Sequence, residues 1–181
     1  NPYAHYDKPL IEFKPRRAIR VHQCDISRHM ITRQYCHISS EMGTGKTLAA
    51  IEAMEWLAVN KRITSWFYIA PKSALISVQL EFDKWNAIIR PQFFTYEGLK
   101  SLIENWPAGS PPPQAVIFDE ASRTKTPTSQ RSQAAKHLAD NIRSHWGDKG
   151  CVILMSGSPA PKSPLDWWHQ CEIACPGFLR E

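Results

Sequence analysis

No run of the sequence stays apolar over the ~20 residues that a membrane-spanning helix needs. The first eleven residues mix charge, proline and aromatic rings, so no secretory signal is expected there. No internal repeat at solenoid spacing is present, which excludes a stacked-repeat architecture. Cysteine is sparse and odd in number: Cys24, Cys36, Cys151, Cys171 and Cys175. A disulfide framework is therefore not expected. Reduced, buried thiols are, and with them an intracellular setting, cytoplasmic or, in a eukaryote, nuclear. Cys171 and Cys175 share a helix face near His169, but tetrahedral zinc needs a fuller ligand set at matching spacing. What is present is ordinary for one soluble domain: 181 residues, 43% hydrophobic and 22% charged. The net charge of +5 and pI of about 9.0 permit a polyanionic partner without requiring one.

Residues 1–17 are rich in proline, tyrosine and charge and read as an irregular lead-in. Residues 18–181 read as a single lobe. Ala18 to Thr32 is a helix candidate with poor apolar spacing. From Tyr35 onward, short β-rich runs alternate with runs of helical period. The strand candidates are Tyr35–Ser39, Thr64–Ala70, Pro91–Thr95, Ala115–Asp119 and Cys151–Met155. Between them, Leu48, Ile51, Met54 and Leu57 repeat at helical spacing. So do Leu75, Val78, Phe82 and Trp85, and then Ala135, Leu138 and Ile142. Three consecutive prolines make residues 109–113 a loop. This alternation predicts an α/β fold, a mostly parallel sheet with helices on both faces. Such sheets bind ligands outside the carboxyl ends of their strands.

Ser40-Glu-Met-Gly-Thr-Gly-Lys-Thr47 follows the first strand and opens the first strong helix. Gly43 and Gly45 permit unusual backbone angles and close approach of a ligand. The N–H groups of Thr44 and its neighbours, with the helix N-terminus, then form an anion site. Lys46 reaches β- and γ-phosphates, and the Thr47 hydroxyl is placed to ligate Mg²⁺. The alternatives are a glycine loop that merely turns the chain and a degenerate P-loop that no longer hydrolyses. Ala115-Val-Ile-Phe-Asp-Glu120 is an apolar strand ending in two carboxylates, which need water, a partner or a metal. Alone it is compatible with a solvated strand tip. Two βα units beyond the P-loop, it fits an Asp119 that holds Mg²⁺ and a Glu120 that activates water.

Further segments extend the pattern. Ile19-Arg-Val-His-Gln23 precedes the P-loop. Tyr68-Ile-Ala-Pro-Lys-Ser-Ala-Leu75 with Glu81-Phe-Asp-Lys-Trp85, then Thr95-Tyr-Glu-Gly-Leu99, follow it. Phe118-Asp-Glu-Ala-Ser122, Lys125, residues 129–131, Met155-Ser-Gly-Ser-Pro159 and residues 164–179 complete the order. In this arrangement the sequence resembles the first RecA-like lobe of superfamily 2 helicases, and most of all the Swi/Snf-type double-stranded DNA translocases. The likeness runs from about Ile19 to the end. It implies ATP and Mg²⁺ as cofactors, with Gln23 reading the adenine edge. It implies nucleic acid, most of all double-stranded DNA, as partner, with the loops after the strands facing its backbone. Lys72, Ser73, Thr95 and Ser158 are the candidate backbone contacts, since lysine and hydroxyl groups bind phosphate without reading sequence. Lys72 is otherwise a solvated lysine, and Thr95 otherwise caps the following helix.

Three departures qualify the resemblance. Ser122 stands where the acidic box has histidine, the group that couples the nucleotide site to the motif around Ser156 and Ser158. Those two serines replace threonines but keep the hydroxyls. A second RecA-like lobe with arginine fingers is absent, which suggests a fragment with weak hydrolysis of its own. Such fingers are worth about 10³–10⁵ in turnover. The rivals are a nucleic-acid- or protein-binding module without productive hydrolysis and an unrelated P-loop enzyme such as a small-molecule kinase. Trp56, Trp85 and Trp168 are expected in the core rather than stacked on bases. Tyr3 and Tyr6 are placed to flank the adenine.

Overall fold

Short runs of aromatic and branched residues pair into one parallel sheet. The strands are β1 (Tyr35–Ser39), β2 (Trp66–Ala70), β3 (Gln92–Thr95), β4 (Ala115–Phe118) and β5 (Cys151–Ser156). The structure, a computed structural model, describes residues 8–40, 45–121, 129–157 and 165–177. The strand order is β1-β5-β4-β2-β3, and each neighbouring pair is parallel. After β1 the chain crosses to β2 and β3. Then β4 and β5 fill the gap, which sets the carboxyl ends of β1, β5 and β4 side by side.

Residues alternate strictly between the two faces of the sheet, as the strand period of two requires. Cys36, Ile38, Tyr68, Ile117 and Ile153 face one core, shared with α1 (Val21–Arg33), α2 (Lys46–Lys61) and α3 (Lys72–Lys84). Tyr35, Phe67, Ile69, Phe118 and Leu154 face the other. That core is shared with α4 (Tyr96–Glu104), α5 (Gln130–Trp146) and α6 (Leu165–Ala174). Both faces are therefore covered, and the strand ends are left as the accessible edge.

The observed elements differ from the sequence expectation at their ends. Strand β2 begins at Trp66 and β3 at Gln92, because Pro91 has no N–H to give a ladder. Strand β5 runs one residue further, to Ser156, paired with Ser39. The first helix starts at Val21 and ends at Arg33. The lead-in is irregular where it is described, yet it is anchored. Phe13 is buried in the α1–α3 core, and the Ile11 N–H donates to Thr32 Oγ1 at 2.9 Å. Arg17 reaches across α2 to Glu52 at 3.1 Å and Glu55 at 2.7 Å. Trp56 and Trp85 pack partly buried against the same core, and Trp168 is half-buried.

Candidate nucleotide site

The chain leaves β1 at Ser39, and the Ser40 N–H donates to the Ser156 carbonyl at 3.1 Å. This bond fixes the entry to the P-loop against the end of β5. Helix α2 then begins at Lys46, with Gly45 at its N-cap and φ of +75°. Glycine is required there on two counts. The φ lies in the left-handed region, and a Cβ would sit 2.0 Å from Gln23 Nε2. Sixteen residues of α2 point their amino end at the loop, a favourable end for anions.

Lys46 Nζ donates to the Ser40 carbonyl at 3.1 Å, across the mouth of the loop. Burial pulls its ammonium below the ordinary lysine range, while Asp119 and Glu120 pull it back up. The cation thus lies within electrostatic reach of both carboxylates at the end of β4.

Asp119 is the most constrained residue of the site. Its Oδ2 accepts from the Tyr68 hydroxyl at 2.7 Å, and its Oδ1 from the Glu120 N–H at 2.9 Å. Its carbonyl accepts from the Tyr96 hydroxyl at 2.6 Å, and its N–H donates to Ile69 at 2.7 Å. Burial raises its carboxyl above the usual range, and the Tyr68 and Glu120 bonds partly offset that. Glu120 is exposed and sits at φ +49°, a conformation uncommon outside glycine. It is turned out of the strand, with its carboxylate in the open. The Asp119 carboxylate and the hydroxyl of Thr47, in the first turn of α2, are the hard oxygen donors that suit Mg²⁺.

Gln23 is buried rather than open. Its Oε1 accepts from the Arg20 N–H at 3.0 Å, and its Nε2 donates to the Gly45 carbonyl at 3.2 Å. His22 Nε2 lies 3.2 Å from Ser40 Oγ. The segment expected to face the base therefore packs directly on the P-loop. Ser156 is buried at the end of β5.

Of the candidate backbone contacts, Lys72, Ser73 and Thr95 lie on the same edge of the sheet, at and beyond the ends of β2 and β3. Lys72 and Ser73 are exposed in the first turn of α3. Thr95 is half-buried, and its Oγ1 accepts from the Gly98 N–H at 2.9 Å, so it does cap α4. Gly43, Thr44, Ser122, Ser158, Lys125, Tyr3 and Tyr6 lie outside the described residues. Sequence reasoning missed Tyr68 and Tyr96. The available signal was a hydroxyl in the middle of the buried run Trp-Phe-Tyr-Ile-Ala, which must find a partner. A cavity of about 380 Å³ between α4 and α5, lined by Trp106, His137, Asn141 and His145, includes none of these residues.

No protein-family model matches the chain, and no curated protein does. Solved structures do. The SWI2/SNF2 ATPase core of Sulfolobus solfataricus, in complex with dsDNA, matches with a TM-score of 0.74 and 19% identity. The match covers 94% of this chain and 38% of that one. The Hef helicase domain of Pyrococcus furiosus matches with a TM-score of 0.65 and 14% identity, over 86% of this chain and 36% of that one. The fold is that of a RecA-like lobe. The chain spans well under half the length of either protein.

Proposed function

We propose that this chain is the ATP-binding half of an ATP-dependent DNA translocase or helicase. The observation that carries the proposal is that Lys46, at the start of the helix after β1, lies within electrostatic reach of Asp119 and Glu120 at the end of β4, with one strand between, in a RecA-like helicase fold. Lys46 holds the β- and γ-phosphates, and the N–H groups around Gly43, Thr44 and Gly45 cradle them. Thr47 and Asp119 hold Mg²⁺, which neutralises phosphate charge when bound. Glu120, exposed beside Asp119, takes the proton of the attacking water. Gln23 reads the adenine edge. Lys72, Ser73, Thr95 and Ser158 hold the backbone of double-stranded DNA, and Ser122 and Ser156 link the two sites. A second RecA-like lobe supplies the rest of the pocket. Support comes from the fold and from the dsDNA bound to the Sulfolobus protein.

The test is ATP hydrolysis in the full-length protein with and without duplex DNA. Glu120→Gln is expected to bind ATP as the wild type does and to hydrolyse it about 10²–10⁴-fold more slowly. Equal hydrolysis by the two would contradict the motor. The rival reading is a nucleic-acid- or protein-binding module without productive hydrolysis. Ser122, too short to bridge as the family's histidine does, is the observation that favours it.

A further inference from the structure

Tyr68 sits at the centre of β2, and none of its surface is exposed. Its ring packs against the pair Phe82 and Phe93, each 5.8 Å away by centroid and 5.1 Å from each other. Strand alternation puts it on the α2 face, the same face as Ile117 and, two residues on, Asp119. The hydroxyl therefore emerges between the first turn of α2 and the end of β4. It donates to Asp119 Oδ2 at 2.7 Å. The buried phenol thus holds one of the two residues proposed to bind the metal. A phenol used only for packing leaves its hydroxyl at a backbone carbonyl or at the surface. This one meets a carboxylate, and a hydrogen bond to an ionised acceptor is the strong kind.

We propose that Tyr68 is a positioning residue for the metal: its hydroxyl fixes the rotamer of Asp119, and so sets how tightly the site takes Mg²⁺–nucleotide. The inference rests on the nucleotide-site reading above. The rigid ring contributes as much as the hydroxyl. Fully buried and packed against Trp66, Phe82 and Phe93, the phenol cannot follow the carboxylate if it turns away, so the bond selects one orientation. The Tyr96 hydroxyl, on the Asp119 carbonyl, fixes the backbone at the same residue. Side chain and main chain of Asp119 are thereby held by two phenols from different elements.

The test is calorimetric titration of this chain with a non-hydrolysable ATP analogue, with Mg²⁺ and with EDTA, for wild type, Tyr68→Phe, Asp119→Asn and the double variant. Phenylalanine keeps the ring packing and removes only the hydroxyl. Tyr68→Phe is expected to weaken Mg²⁺-supported binding roughly tenfold, the scale of one hydrogen bond to a charged group. Binding in EDTA is expected to stay unchanged. On the Asp119→Asn background the same change is expected to have little further effect, because its route of action is gone. Equal loss with Mg²⁺ and with EDTA, or an undiminished loss on the Asp119→Asn background, would overturn the positioning role and leave the nucleotide site standing. No nucleotide binding by the wild type would overturn the site reading, and this inference with it.

Discussion

The Gln23 side-chain amide donates to the Gly45 carbonyl at 3.2 Å, so the first helix is bonded to the first residue before the P-loop helix. For the same amide to read an adenine edge, it must exchange Gly45 for the base. Gln23→Ala is then expected to bind ATP and GTP alike, while the wild type prefers ATP. A mismatched purine edge leaves a polar group unpaired, at about 1–3 kcal/mol. Competition between the two nucleotides measures it. Unchanged preference in Gln23→Ala would confine the residue to its structural bonds.

Gly45→Ala is the stricter variant. It forces an L-residue into φ +75° and drives a Cβ to 2.0 Å from Gln23 Nε2. Loss of nucleotide binding is expected with a lowered Tm. Adding Gln23→Ala relieves the collision and not the backbone strain, so the double variant is expected to recover part of the Tm. No recovery would show that the collision is unimportant.

Arg17 ties the lead-in to Glu52 and Glu55, and the Ile88 N–H also donates to Glu55 Oε1 at 3.0 Å. Burial pushes the Glu55 carboxyl up, but the bonds from Arg17 and Ile88 outweigh it and hold it below the usual range. A depressed carboxyl stabilises the fold above its unfolded value and loses that contribution as pH falls through its folded value. The wild type is thus expected to lose stability on acidification below about pH 4.3. Arg17→Ala removes the guanidinium from Glu52 and Glu55 but leaves Glu52 the N–H bonds of residues 16 and 17 and leaves Glu55 the Ile88 N–H and Arg16, at a cost of about 1–3 kcal/mol at pH 7. The gap to wild type is expected to narrow as pH falls and Glu55 takes up a proton. Urea titrations at pH 7 and pH 4 read both effects; a gap independent of pH would contradict the account.

Thr95 has two possible roles that substitution separates. Its Oγ1 caps α4, so Thr95→Ala is expected to cost about 0.5–2 kcal/mol of stability. Thr95→Ser restores both a cap and a phosphate-binding hydroxyl. If only the cap matters, DNA affinity of folded Thr95→Ala equals that of wild type. Lys72 is exposed and acts through charge. Duplex affinity is expected to fall steeply with salt and vary little with sequence, and Lys72→Ala is expected to lower the salt slope by about one. An unchanged slope would remove Lys72 from the interface.

Local signals carried most of the fold. The β-rich runs locate all five strands within two residues of either end, and the helix expected to open at the end of the glycine-rich segment begins at Lys46. Helix α1 was hard to read because its buried side is partly polar: Gln23, Ser27 and Thr32 are all buried. Ser27 Oγ, for one, donates to the Ala49 carbonyl at 2.7 Å. Such bonds replace the apolar stripe that periodicity detects. Helix α4 hid for another reason: it is nine residues long and buries only Tyr96 and Leu99. The Arg17 clamp and the Tyr68–Asp119 bond join residues tens of positions apart, through sheet register and helix packing. No spacing rule in one sequence encodes them. The positive φ of Glu120 was equally invisible, since nothing in Asp-Glu marks a left-handed residue.

If this lobe is half of a motor, the nucleotide site and duplex DNA are coupled on it. The most direct measurement is the affinity of the chain for Mg²⁺ and a non-hydrolysable ATP analogue, with and without duplex DNA, beside Lys46→Ala. Expected are saturable binding, its loss in Lys46→Ala, and the same fold-change in DNA affinity with nucleotide as in nucleotide affinity with DNA. Nucleotide binding that persists in Lys46→Ala, or that is indifferent to DNA, would contradict the motor reading.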